Sequence, residues 1–197
     1  MNKEIICILL PKYADWEGAF IASSLNNTTG LDGEMFQVKT MSLTKDPVES
    51  IGGFKTIPDY DINTLPDKYE ALLLIGGMSW FTEEAKLIVP IVESAIKNKI
   101  LVAGICNASV FLGKYGFLNE VKHTSNTLEY LMKSAGESYT GKANYINKQA
   151  VCDGNMITAN GTAYLEFSKE ISIRLKAKTV EQIEKEYTFN KLGLYQE

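Results

Sequence analysis

Three runs of this chain, "EIICILL" (4–10), "EALLLI" (70–75) and "ILVAGI" (100–105), are apolar at nearly every position, without the alternation of a strand that is wet on one face. Such runs suit strands buried on both faces, which means a mostly parallel sheet covered by helices on either side. The segments between them change period. "DWEGAFIASSLNN" has helical spacing, with Trp16, Phe20, Ile21 and Leu25 falling on one side. "EEAKLIVPIVESAIKNK" is helical overall, with Pro90 either bending it or sitting in its first turn. "ASVFLGKYG", "TSNTLEYLMKSAG" and "TAYLEFSKEISIRL" read as further helices, the last strongly amphipathic, and "TVEQIEKEY" as one more. "EMFQVKTMSL" reads as a strand. "VESIGGFKTIP" and "QAVCDGNMITAN" are hairpins, turning at Gly52–Gly53 and Asp153–Gly154. The order strand, helix, strand, helix gives an α/β fold with helices on both faces of the sheet.

Length and charge narrow the class further. A chain of 197 residues without repeats or a linker reads as one domain over 1–197. Its net charge of −4 offers no electrostatic footprint for nucleic acid or an anionic membrane, and no apolar run is long enough to span a bilayer. The start, "MNKEIICILLPKY", reads as a first strand and lacks the small-residue cleavage site of a signal peptide. Three widely spaced cysteines, Cys7, Cys106 and Cys152, form neither a disulfide framework nor a C-x-x-C metal pattern, and point to a reducing cytoplasm. His123 is the one histidine, which excludes a multi-histidine metal site within one chain.

In an open parallel sheet, functional groups gather at the carboxyl ends of the strands. "AGICNAS" ends the third apolar run and starts a helix. A nucleophile on so tight a strand-to-helix turn needs small residues two before and two after it, and Gly104 and Ala108 meet that demand around Cys106. The helix N-terminus is expected to favour the thiolate of Cys106 and lower its pKa. Cys7 and Cys152 have no such setting and read as inert thiols. Glu17 lies in the first turn of the helix after the first strand, at the same sheet edge. Held protonated by burial, it would donate a hydrogen bond to the thiolate; solvated, it would simply favour the helix dipole. Gly76 and Gly77 end the second run, where backbone N–H groups, with that of Asn107, could form an oxyanion hole; the alternative is a plain turn. His123 is a candidate base if its loop folds back; the alternative is a surface or packing residue. Trp16 is a core or pocket-wall residue, and Met78 and Trp80 are further wall candidates.

These residues together resemble the PfpI/ThiJ superfamily, relatives of class I glutamine amidotransferases. The segments that carry the resemblance are "DWEGAF", "LLLIGG", "AGICNASVFLGKYGFL", "HTSNTLEYL" and "CDGNMITANGTAYLEFSKEI". It implies a flavodoxin-like three-layer αβα sandwich with a cysteine nucleophile elbow and no cofactor. Cys106 would be the nucleophile, Glu17 its hydrogen-bonded glutamate, and Gly77, with Gly76 beside it, the oxyanion region. It also implies a homodimer or higher homo-oligomer with the site close to an interface. The chain departs from the pattern at Asn107, where protease-like members carry histidine, and at Asn126, where other members do. Peptide hydrolysis needs a general acid for the amine leaving group, and an asparagine transfers no proton.

Three functions therefore stand side by side. The first is a cysteine-dependent hydrolase, protease- or amidase-like, acting on a peptide or small molecule. The second is a glyoxalase- or deglycase-like enzyme for small reactive aldehydes, in which no histidine is essential. The third is a non-catalytic thiol stress sensor or chaperone.

Overall fold

The computed structural model describes residues 2–193. The main sheet has six strands: β1 (Asn2–Ile8), β2 (Met35–Met41), β5 (Ala71–Leu74), β6 (Leu101–Ile105), β7 (Ala150–Asp153) and β8 (Met156–Ala159). A separate two-stranded hairpin holds β3 (Val48–Glu49) and β4 (Lys55–Thr56). The sheet order is β2-β1-β5-β6-β8-β7. All its pairings are parallel except β7 with β8, the hairpin that "CDGN" turns.

The helices are α1 (Asp15–Leu25), α2 (Val89–Lys97), α3 (Asn107–Lys114), α4 (Leu128–Ala135), α5 (Tyr164–Arg174) and α6 (Val180–Leu192). Strand side chains alternate between two apolar layers. Ile6, Ile8, Leu72, Leu74 and Val102 pack with residues of α2, α3 and α4. Ile5, Cys7, Leu73, Ala103 and Ile157 pack with Ile21 and Leu25 of α1 and Phe167 and Ile171 of α5. The central strands are thus buried on both faces, as their unbroken apolar runs require.

The helix boundaries refine the sequence reading. Pro90 sits in the first turn of α2, where its missing N–H costs no helix bond, and a short 3₁₀ segment, Glu84–Ile88, precedes it. The buried face of α1 is Glu17, Gly18, Ile21 and Leu25, so the expected stripe is rotated: Trp16 stays 48% exposed. Trp80, expected at a pocket wall, is instead a core residue whose indole N–H donates to the Ile75 carbonyl at 2.6 Å. The last segment forms α6, closed at its start by a Thr179–Gln182 capping box; residues 194–197 lie outside the described residues.

The parallel arrangement brings four chain segments to one edge of the sheet. After β1 comes the start of α1, after β5 come Gly76 and Gly77, after β6 comes Cys106, and after β8 comes Gly161. Behind this edge α3 is anchored by Phe111, whose ring centroid lies 4.8 Å from that of Trp80 and 4.9 Å from that of Tyr115. Emptying this contact leaves a cavity that two large rings cannot close. Phe111→Ala is expected to lower the unfolding free energy by about 3–5 kcal/mol in urea denaturation. A loss below about 1 kcal/mol would show that the layer under α3 repacks freely.

Candidate active site

Cys106 is the residue between β6 and α3. Its backbone is at φ 57°, ψ −127°, a conformation that costs a non-glycine residue about 1–3 kcal/mol. The strain is held from both sides. The Cys106 N–H donates to the Ala159 carbonyl at 3.0 Å, extending the β6–β8 ladder past its last pair. The Cys106 carbonyl accepts from the Ser109 N–H at 3.1 Å and the Ser109 hydroxyl at 2.6 Å, closing the first turn of α3. The turn points the thiol out of the sheet edge, where Cys106 is partly exposed while Cys7 is buried.

The thiol sits in a slot that two glycines leave open. A Cβ on Gly76 would lie 2.6 Å from the Cys106 Cβ and would overlap Glu17 Oε2. A Cβ on Gly161 would lie 2.9 Å from Cys106 Sγ. Gly161 falls in the segment "CDGNMITANGTAYLEFSKEI" that carries the family resemblance, with no site role attached to it there; its place at the carboxyl end of β8 is the signal for that role.

Glu17 enters the same slot from α1 and is 1% exposed. Its Oε2 accepts the Gly76 N–H at 2.9 Å, so the Gly76 amide is committed to the carboxyl. No donor among the described residues reaches Oε1. A buried carboxylate with one oxygen unsupplied is poorly stabilised, and burial raises the Glu17 pKa to about 7. The Gly76 N–H and the Cys106 thiol, which pull the other way, only partly offset that rise.

The thiol is also pushed up, first by burial and next by the charge of Glu17. Hydrogen bonds from Asn126 and the Asn107 N–H favour the thiolate but do not prevail. The expected lowering by the helix N-terminus is therefore overturned: desolvation and a neighbouring carboxylate outweigh it. Two buried acids in contact cannot both ionise cheaply, so they behave as a pair that holds one proton above neutral pH.

Asn126 completes the slot. Its Nδ2 donates to Cys106 Sγ at 3.6 Å and its Oδ1 accepts the Gly161 N–H at 2.9 Å. The loop is pinned by its neighbours: the Thr124 N–H donates to Thr158 Oγ1 at 2.8 Å, and the Ser125 hydroxyl bonds that of Ser109 at 2.7 Å. Trp16 reaches over from α1, its indole N–H 3.5 Å from the Gly161 carbonyl. Asn107, buried, places its side-chain amide between Tyr130 and Met78. Tyr130 carried no sequence signal.

His123 is not brought to the thiol. Its Nδ1 lies 2.7 Å from the Val121 carbonyl and its Nε2 2.7 Å from the Tyr139 hydroxyl. A carbonyl only accepts, so Nδ1 carries the proton and Nε2 accepts from Tyr139. The ring is fully buried against Tyr139 and Tyr145, and burial lowers its pKa, which keeps it neutral. With both nitrogens engaged, His123 packs the α4 side of the molecule rather than serving as a base for Cys106. Among the described residues no group of three histidine, cysteine or acidic side chains is placed to hold a metal ion, and no helix is long and apolar enough to cross a membrane.

A sequence profile of the DJ-1/PfpI family matches residues 3–173. The Bacillus subtilis (strain 168) protein named "Uncharacterized protease YdeA" is 42% identical over 194 residues, covering 98% of this chain and 93% of the relative. A thiJ/pfpI family protein from Bacillus anthracis superposes with a TM-score of 0.92 at 30% identity, over 98% of this chain and 92% of that one. The DJ-1 superfamily protein Atu0886 from Agrobacterium tumefaciens gives 0.85 at 33% identity, over 97% and 98%. The chain belongs to the DJ-1/PfpI family.

The raised pKa of Glu17 has a consequence for stability. The folded state binds this proton more tightly than the unfolded chain does, so its contribution is complete below about pH 4.5 and is lost as pH rises to about 7. Comparison with Glu17→Gln, which does not titrate, isolates the effect. Between pH 4.5 and 8 wild type should lose about 3 kcal/mol relative to the variant in parallel denaturation curves. Curves that keep a constant separation across that range would mean that Glu17 titrates as an ordinary carboxyl.

Proposed function

We propose that this member of the DJ-1/PfpI family is a cysteine-dependent enzyme that adds its Cys106 thiol to the carbonyl carbon of small reactive aldehydes, a glyoxalase- or deglycase-like activity. One observation carries the reading: the thiol's buried partner is Glu17, poised near neutrality, while the single histidine is engaged elsewhere. An aldehyde has no leaving group that must be protonated, so one carboxyl is sufficient for the proton transfers.

The chemistry balances without an external oxidant. Ionised Glu17 takes the thiol proton as Sγ bonds to the aldehyde carbon, and returns it to the new alkoxide, giving a hemithioacetal. With a 2-oxoaldehyde, Glu17 then removes the proton from the former aldehyde carbon, a proton is delivered to the neighbouring carbon, and the hydroxyl proton of the hemithioacetal passes to the neighbouring oxygen. The product is a 2-hydroxy thioester, which water cleaves to a 2-hydroxy acid and free Cys106. A base with a pKa near the working pH is efficient in both directions of transfer. In this reading the Asn107 N–H and the Gly77 N–H hold the carbonyl oxygen, since the Gly76 N–H is occupied by Glu17.

A second reading, a protease- or amidase-like hydrolase, is supported by the name of the Bacillus subtilis relative. It uses the same nucleophile and the same amides, with protonated Glu17 as the donor to the leaving amine. We also propose a homo-oligomer. The hairpin that Asp15 ties to α1 through the Gly52 N–H carries Phe54, 69% exposed, and Ile57, 73% exposed, apolar surface that a second copy would cover. Light scattering at a mass near that of one chain would exclude this.

Incubation of the purified protein with methylglyoxal, without added thiol, should form lactate. Cys106→Ala should abolish the activity, and Glu17→Gln should lower kcat by about 100-fold or more. Release of amine from peptide or amide substrates, with no lactate above buffer, would replace the aldehyde reading by the hydrolase.

A further inference from the structure

Resting on the carbonyl-addition reading, we infer that the side-chain amide of Asn107 binds the second carbonyl oxygen of a 2-oxoaldehyde, and that Tyr130 is the positioning residue that aims it. The Tyr130 hydroxyl is 3.1 Å from Asn107 Oδ1, and Asn107 Nδ2 is 3.3 Å from Met78 Sδ. The Met78 contact fixes which end of the amide is which. A thioether sulfur has no hydrogen to donate, so the nitrogen end faces Met78; the oxygen end faces Tyr130, whose hydroxyl is therefore the donor. Asn107 is 6% exposed, and turning the amide over would lose the Met78 contact, since an amide oxygen and a thioether sulfur both only accept.

This orientation matters because of where the nitrogen end lies. Met78 follows Gly77 directly, and Gly76, one residue earlier, abuts the Cys106 Cβ. The amide nitrogen carries two hydrogens, and its one hydrogen-bond partner among the described residues is a thioether, a weak acceptor. Met78 is also 63% exposed, so its side chain can give way to a ligand. A simple aldehyde bound to Sγ presents one oxygen, which the backbone amides hold. A 2-oxoaldehyde presents a second oxygen on the adjoining carbon, and the Asn107 side chain offers it an N–H that stays in place at every pH. Asparagine beside the nucleophile is then a specificity group for the second carbonyl. Glu17 and Cys106 carry the proton transfers without it.

The test separates this inference from the reading it rests on. Protection of Cys106 from iodoacetamide, followed by mass spectrometry, reports reversible adduct formation without turnover. Half-protecting concentrations are measured for methylglyoxal and for propanal in wild type, Tyr130→Phe and Asn107→Ala. Loss of one hydrogen bond should raise the methylglyoxal value by about three- to tenfold and leave the propanal value unchanged. In turnover the same variants should raise KM for methylglyoxal with kcat largely retained, a split that a general loosening of α4 would not produce. Should Asn107→Ala fail to fold, Tyr130→Phe, which removes a single oxygen atom, carries the test. A shifted ratio without lactate in wild type would uphold the binding role and end the glyoxalase reading. Lactate with an unshifted ratio in the folded variants would overturn the role of Asn107 and Tyr130 alone. Failure of both aldehydes to protect Cys106 would overturn both.

Discussion

The site depends on one constraint: a carboxyl and a thiol share a slot with too little solvation for two charges. Glu17 is buried almost completely, and Gly76 and Gly161 give the thiol just enough room to lie against it. Burial resists the ionisation of both acids, and the charge of Glu17 makes the thiol harder still to ionise. In the carbonyl-addition reading proposed above, the proton that an exposed cysteine would lose to water passes instead to a neighbour. That is the property a nucleophile needs when no histidine is present to accept its proton.

The fold makes this arrangement affordable by distributing its supports among separate elements. The strained Cys106 backbone is bracketed by the β8 ladder and the first turn of α3. The carboxyl is held by an amide at the end of β5, and the thiol is contacted by Asn126 from a loop pinned to β8 and α3. Parallel strands end at the same edge, so four distant segments meet there without long excursions. The apolar layer that holds α1 and α5 is continuous with this edge, since Ile75 and Ile105, each next to a site residue, are fully buried.

What was legible in the sequence follows from how local each signal is. Unbroken apolar runs reveal doubly buried strands, and Gly104, Cys106 and Ala108 reveal the elbow, because both patterns are contiguous. The turn at Gly154 and the glycine pair after β5 are local in the same way. The partners of the thiol were harder to see, because they arise from contacts between elements. His123 and Asn126 are three residues apart in one loop, and only the pinning of Thr124 and Ser125 decides which of them faces Cys106. Tyr130 meets Asn107 through the packing of α4 on α3, which no pattern in either helix announces. The direction of the thiol pKa is not legible in the sequence, because a helix N-terminus is visible there whereas burial and the nearness of Glu17 are not. The stripe on α1 was displaced by one position for a related reason. Glu17 is polar, yet it occupies the buried face, and the exposed Trp16 covers the Gly161 side of the site.

The most direct test of the shared proton is the pH dependence of Cys106 alkylation in wild type and Glu17→Gln, read by mass spectrometry that separates Cys106 from Cys7 and Cys152. In wild type, burial and the negative carboxylate together should hold the inflection for the thiol above the ordinary cysteine range, with a smaller step near pH 7 as Glu17 ionises. In Glu17→Gln, the step near pH 7 should vanish and the remaining inflection should move to lower pH. A single inflection at the same ordinary thiol pKa in both proteins would contradict the account.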